Sequence, residues 1–296
     1  MLTLNLAKQF SVEVPQQEAS QKIPCTPFLK WVGGKRQLLP ELLKRIPIKI
    51  NRYYEPFIGG GALFFKYQPS SASISDLNPE LINVYKVVQC EVEALIEDLK
   101  QHFYEEDYFY KIRDLDRSSD YLKLSPVQRA SRLIFLNKTC FNGLYRVNSK
   151  GFFNTPFGRY SNPTILDAKN LRACSQVLKN VSISLASFDA IEDKITPKDF
   201  VYFDPPYVPL STTSYFTSYD SEGFDLEMQN KLFELCERLH IRGVPFMLSN
   251  SCSTFVIEKY QKFQIELVSA TRAINSKSSA RGRIKEVIIT NFHLIK

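Results

Sequence analysis

The densest chemistry in the chain lies at Asp204-Pro205-Pro206-Tyr207, directly after the apolar run Phe200-Val201-Tyr202-Phe203. Two prolines after a strand fix φ and stiffen the turn, so the Asp204 carboxylate and the Pro205 carbonyl can aim at one point beyond the strand's carboxyl end. Two acceptors converging there suit an NH2 group. An aryl amine is a poor nucleophile because its lone pair is delocalised into the ring. Hydrogen bonds from both of its protons favour a more tetrahedral nitrogen whose lone pair can attack. Tyr207 then offers a flat face on which a base can stack. The same four residues could instead form only a rigid turn with a capping Asp.

Two glycine turns lie nearer the start: Trp31-Val32-Gly33-Gly34-Lys35 and Glu55-Pro56-Phe57-Ile58-Gly59-Gly60-Gly61. A strand ending in glycines before a short helix lets backbone approach a ligand closely, and an acid at the end of the next strand can bind ribose hydroxyls. Asp76 occupies that place, although it could equally do no more than cap the next helix. It follows Gly61 more closely than the ~20 residues of dinucleotide-binding sheets, and the glycines miss the GxGxxG spacing, so a nicotinamide cofactor is disfavoured. A phosphate loop is disfavoured too, because no Ser or Thr follows Lys35 and the four-residue spacer between glycines is missing.

Between Asn137 and Tyr160 the composition changes. The segment carries Lys138, Arg146, Lys150 and Arg159, no acid, and the aromatics Phe141, Tyr145, Phe152, Phe153, Phe157 and Tyr160. That mixture is unlike a core helix and unlike a plain solvated loop, although some rings, Phe152 and Phe153 especially, could simply pack on the body of the protein. A second cationic stretch, Arg272 to Lys285, suits either a phosphate-binding loop or a plain solvated one.

These groups need a scaffold. Apolar, β-rich runs at YYEPFIGGG, SASIS, VSISLASF, DFVYFDPPY, VPFMLSN, FQIELVS and KEVIITNFHLI read as strands. Leu38, Leu39, Leu42, Leu43 and Ile46 predict a helix from about Arg36 to Arg45, with Pro40 in its tolerated first turn. Asn78-Pro79 and Ser125-Pro126 read as helix starts, and the stripe Met228, Leu232, Leu235, Cys236, Leu239 predicts a helix capped by Asp225 and ended by Gly243. From about Glu91 to Cys140 the spacing is helical without strand signals. The alternation implies a doubly wound, mostly parallel α/β sheet interrupted by a helical and aromatic-basic insert. Residues 1–24, polar and without period, are expected to form a poorly ordered extension.

At 296 residues, 44% hydrophobic and 23% charged, the chain is globular rather than disordered or fibrous. A net charge of +7 suits a polyanionic partner without requiring one. Six cysteines without a CxxC pair and three distant histidines signal neither a zinc site nor a disulfide framework, and no metal is expected. No stretch approaches a membrane span and no signal peptide is evident, which points to the cytoplasm.

Taken together and in order, FLKWVGGK, EPFIGGGALFF, ISDLN, FNGLYRVNSKGFFNTPFGRY, FVYFDPPY and FTSYDSEGF closely resemble the Dam-type adenine-specific DNA methyltransferases, over about residues 27–295. In that group the cofactor motif precedes the recognition segment and DPPY comes last. The resemblance implies a Rossmann-like S-adenosylmethionine-dependent methyltransferase fold. Residues 25–78 and 172–296 would form the catalytic domain and 79–171 the target-recognition domain. It implies S-adenosylmethionine as donor, contacted by Trp31 and Lys35, with Phe57, Gly59 and Gly61 shaping its pocket and Asp76 on the ribose. Asp204 would border both donor and acceptor amine, and Phe188-Asp189 would line the donor's adenine. It implies a double-stranded DNA partner entered by a β-hairpin, with Phe141, Asn142, Arg146, Pro156 and Tyr160 at the DNA-contacting positions. Several relatives have tyrosine where this chain has Phe141, so the stacking ring is kept without the hydroxyl's polar interaction. The target expected from the hairpin is GATC, the adenine being flipped out of the duplex. Methylation of an RNA base or a protein amide, and an inactive DNA-binding repressor on the same fold, are the alternatives. The protein is expected to act as a monomer of prokaryotic or phage type, without an obligate protein partner. A carbon-5 cytosine methyltransferase is disfavoured, because the only Pro-Cys pair, Pro24-Cys25, lies far from DPPY.

Overall fold

Short apolar runs bounded by turn residues become strands, and seven of them build one sheet. The computed structural model describes residues 10–13, 22–208, 224–271 and 283–295. In chain order it contains β1 (Phe10–Glu13), α1 (Leu39–Leu43), β2 (Tyr53–Glu55), α2 (Ala62–Tyr67), β3 (Ala72–Asp76), α3 (Pro79–Cys90), α4 (Val92–Leu99), α5 (Glu106–Asp114) and α6 (Pro126–Thr139). It continues with α7 (Ala168–Leu178), β4 (Val181–Leu185), β5 (Phe200–Phe203), α8 (Leu226–Ile241), β6 (Phe246–Ser251), α9 (Thr254–Tyr260), β7 (Gln264–Thr271), β8 (Arg283–Thr290) and β9 (Phe292–Ile295). The main sheet has the order β4-β3-β2-β5-β6-β8-β7. Strands β4 through β6 pair in parallel, and β8 runs antiparallel to both of its neighbours. This is the mostly parallel, doubly wound sheet the alternation implies, as in S-adenosylmethionine-dependent methyltransferases.

Every residue of β5 and β6 is buried, as expected for central strands covered on both faces. Alternate side chains serve opposite sides. Tyr202 and Met247 join the core beneath α2, α3 and α6 with Phe64, Leu81, Val84 and Leu133. Val201, Phe203, Phe246 and Leu248 join the core beneath α8 and α9 with Leu232, Leu235 and Leu239. A third cluster, Phe109, Phe135, Leu136, Cys140 and Phe153, supports the aromatic-basic segment.

The start signals work through their side chains. Asn78 accepts from the Leu81 amide, Ser125 forms a capping box with Gln128, and Asp225 accepts from the Met228 amide. The first helix is shorter than the predicted 36–45, because Pro40 confines its start to Leu39 and the chain before it runs as turns. Residues 10–13, expected to lack order, pair in parallel with β9 from Phe10↔Phe292 to Glu13↔Ile295. The predicted KEVIITNFHLI strand is split at Asn291. There the Asn291 amide group accepts from Phe246 N at 2.8 Å and donates to Val244 O at 2.8 Å.

Candidate active site

The chain leaves β2 outward through β3 and β4, then returns to β5 on the other side of β2, so the strand order reverses between β2 and β5. A crevice opens at such a reversal, beyond the carboxyl ends of the strands. The glycine turn after β2, Asp76 at the end of β3 and Asp204 after β5 all lie along that edge.

The glycine turn is closely packed. Gly59 and Gly61 have φ of +45° and +69°, in the left-handed region that favours glycine. A Cβ on Gly59 would stand 2.9 Å from Trp31 Cδ1, and one on Gly61 would stand 2.6 Å from the Tyr85 hydroxyl. That hydroxyl donates to Gly59 O at 3.0 Å. Asp76 accepts from Gly59 N at 3.1 Å and from Asn78 N at 3.0 Å, so one carboxylate fixes the turn and the start of α3 together. Burial raises its pKa, against the pull of those backbone donors. Phe57 stacks on Phe188 at 5.5 Å, and Phe224 meets Phe57 edge-on at 5.5 Å.

Asp204 is the second centre. Lys35, 7% exposed, holds its ammonium 2.8 Å from Asp204 Oδ1, 2.5 Å from Gly33 O and 4.4 Å from the Tyr207 ring centroid. The ammonium pairs with Oδ1, and among the described residues no other side chain or backbone group donates to that oxygen. Burial raises the Asp204 pKa and Lys35 opposes the rise. The turn is fastened from behind. Gln229 Nε2 donates to Pro206 O at 2.9 Å, Val208 N donates to Asn250 Oδ1 at 3.1 Å, and Ser251 Oγ donates to Val208 O at 2.6 Å.

Two acids here escaped the sequence reading. Glu55, 3% exposed, accepts from the Tyr53 hydroxyl at 2.7 Å. Burial pushes its carboxyl up to about 8; the Tyr53 hydrogen bond opposes the rise, and the Asp204 charge adds to it. Its place at the end of a buried strand was the available signal. Glu286, on β8, accepts from the Tyr207 hydroxyl at 2.8 Å. No local pattern marks a pairing across so much chain.

The aromatic-basic segment folds back as a hairpin, with antiparallel bridges Cys140↔Phe157 and Val147↔Phe153. Phe141 is 52% exposed, and Asn142 has φ of +57°. Arg146 Nε donates to Asn154 Oδ1 at 2.7 Å. The Pro156 carbonyl accepts from Phe141 N at 2.8 Å, and the Tyr160 hydroxyl is turned inward onto Cys140 O at 2.9 Å. Phe153 is buried, while Phe152 lies beside the Arg117 guanidinium. Asp116 anchors the segment by accepting from Phe153 N at 2.7 Å while paired with Arg132 and Arg117. Tyr145 stacks on Trp31 at 5.0 Å and 18°, and so joins the hairpin to the glycine turn. The FTSYDSEGF motif short of Phe224, and residues 272–282 of the second cationic stretch, lie outside the described residues.

The predicted site residues thus form three neighbouring groups: Trp31, Gly59, Gly61 and Asp76; Lys35, Asp204 and Tyr207; and the hairpin. A close-packed glycine turn along the same sheet edge as a carboxylate ion-paired with Lys35 fits a nucleoside-bearing donor with an amine opposite it. Among the described residues no cluster of three His, Cys, Asp or Glu side chains could hold a metal ion, and no helix is long and apolar enough to cross a membrane.

Residues 31–274 match the family model of the D12 class N6 adenine-specific DNA methyltransferases. The Type II methyltransferase M1.LlaDCHI of Lactococcus lactis subsp. cremoris is 48% identical over 92% of this chain and 97% of its own length. The Type II methyltransferase M.MjaIII of Methanocaldococcus jannaschii is 43% identical over 90% of this chain and 99% of its own. The DNA adenine methylase of Escherichia coli K12 is 33% identical over 88% of this chain and 93% of its own.

Proposed function

Since this chain belongs to the D12 class N6 adenine-specific DNA methyltransferase family, we propose that it methylates the exocyclic amine of an adenine flipped out of duplex DNA. The donor is S-adenosylmethionine and the target is GATC. The observation that carries the reading is Asp204 at the end of β5, its carboxylate ion-paired with Lys35 and on the same edge of the sheet as the glycine turn.

When bound, S-adenosylmethionine supplies an electrophilic methyl carbon on a positively charged sulfur. Trp31, Gly59, Gly61 and Asp76 hold its nucleoside end, with Phe57 and Phe188 lining the adenine side. Asp204 Oδ1 and the Pro205 carbonyl would each accept a hydrogen bond from the target amine, which favours a more tetrahedral nitrogen whose lone pair can attack an electrophilic carbon, the amine keeping its protons until the new bond has formed. Lys35 opposes the rise in the Asp204 pKa and so favours the ionised carboxylate, which accepts the amine's hydrogen bond. It lies over one face of Tyr207, so a stacked base takes the other. The exposed ring of Phe141 fills the gap left in the duplex, and Arg146 exchanges Asn154 for the O6 and N7 acceptors of a guanine. Residues 79–171 serve as the target-recognition unit of a monomeric enzyme.

Expression in cells lacking adenine methylation, followed by genome-wide mapping of modified bases, tests the reading. The expected product is N6-methyladenine confined to GATC. Modification at another sequence retracts the target and leaves the chemistry standing, whereas unmodified adenines retract the chemistry.

A further inference from the structure

Tyr207 is restrained by two groups remote from it in sequence. Its hydroxyl donates to Glu286 Oε2 at 2.8 Å, while Lys35 Nζ lies 4.4 Å from the ring centroid. Glu286 sits within β8, in register with Ser251 of β6 and Val268 of β7, so its backbone is fixed from both sides. Ser251, its β6 partner, also holds the turn through Val208 O, and Asn250 beside it holds Val208 N. The catalytic turn and the acid that grips its tyrosine therefore rest on the same pair of strands. Burial, followed by the negative charges nearby, keeps the phenol protonated, so its hydroxyl is a donor to the carboxylate. A tyrosine ring swings about two torsions, and a tie at its far end removes that freedom.

We propose that Glu286 is a positioning residue for methyl transfer: by accepting the Tyr207 hydroxyl it holds the ring in the plane against which the target base lies, and so brings the amine in line with Asp204. This rests on the reading of the site as an adenine N6 site, and deepens it.

The test uses the full-length protein, a duplex with 2-aminopurine at the target position and an unmodified duplex with labelled S-adenosylmethionine. Glu286→Ala is expected to lower kcat roughly 10- to 100-fold, the cost of misplacing a reacting group slightly, with the KM for donor unchanged. Its 2-aminopurine should brighten as in wild type on flipping but be less constrained, giving lower fluorescence anisotropy. Tyr207→Phe deletes the same hydrogen bond from the other end and should reproduce the loss; the double variant should lose no more than either single one. Glu286→Gln keeps an acceptor and should recover most of the rate. In 13C-tyrosine spectra, the resonance missing from Tyr207→Phe should move in Glu286→Ala.

Should Glu286→Ala fail to fold, Tyr207→Phe decides the matter. Wild-type kcat in either folded variant, or losses that multiply in the double variant, overturns the assignment of Glu286. A wild-type enzyme that leaves duplex adenine unmodified overturns the adenine N6 reading instead, a distinct result.

Discussion

The turn after β5 and the hairpin of residues 137–160 are built on opposite principles. Backbone groups of Pro206 and Val208 and the hydroxyl of Tyr207 are tied to side chains on α8, β6 and β8. The hairpin is closed largely by bonds within itself, such as Phe141 N to Pro156 O, Gly158 N to Thr139 O and Asn148 N to Phe152 O. It is fastened to the body through Asp116, the buried Phe153 and the stack of Tyr145 on Trp31. Phe141 is left exposed, and among the described residues the Arg146 side chain hydrogen-bonds to Asn154 alone. Under the proposed function this contrast is expected: methyl transfer tolerates little misplacement, and base readout needs side chains that can exchange one partner for another, as the exposed Phe141 and Arg146 can.

The strongest way to break the contrast is Lys35→Met. It leaves Asp204 facing the crevice without its cation, at a cost on the order of 3 kcal/mol in stability, the low end for a broken buried pair because Asp204 keeps 18% of its side chain exposed. With Lys35 gone the already raised Asp204 pKa rises further, so the acid limb of the kcat profile should move to higher pH. Denaturant unfolding and pH profiles check both effects.

Glu55 gives the next effect. Its carboxyl is raised from 4.5 to about 8 by burial, so the folded state binds a proton that the unfolded state has lost. The stability associated with that proton is fully present below pH 4.5 and is lost as pH rises towards about 8, at a slope near 1.4 kcal/mol per pH unit. Glu55→Gln should abolish that slope, as measured by urea unfolding of both proteins across the range.

The hairpin should respond differently. Arg146→Ala is expected to lose about 1–3 kcal/mol of discrimination at one guanine, seen as a relaxed preference among substituted duplexes, with fold stability and donor affinity unchanged. Asn154→Ala should have the smallest effect, because the bond it removes from Arg146 is exposed. Stability should change by less than about 0.5 kcal/mol, with cognate DNA binding preserved. A large loss of stability in either variant would place the hairpin in the same overdetermined class as the turn.

How much the sequence revealed follows the same division. The central strands β5 and β6 were legible because buried strands read as continuous apolar runs, the other five of the main sheet because they form short β-rich runs bounded by turns, and Asn78, Ser125 and Asp225 because capping is local. Asp204 stood out by its place after such a strand. The pairing of Glu286 with Tyr207, the burial of Glu55, the grip of Asp116 on Phe153 N and the pairing of residues 10–13 with β9 had no periodic or local signature. Each depends on tertiary contacts that no local stretch of sequence records.

The proposed chemistry turns on Asp204 meeting an adenine amine. Transfer of labelled methyl from S-adenosylmethionine to a GATC duplex, with the product nucleosides separated, measures this in wild type and in Asp204→Ala. The account predicts label in N6-methyladenine from the wild type, and a loss of more than about 1,000-fold in the variant, comparable to or beyond the removal of a principal transition-state hydrogen bond. Label on any other atom, or an Asp204→Ala enzyme as fast as the wild type, would contradict it.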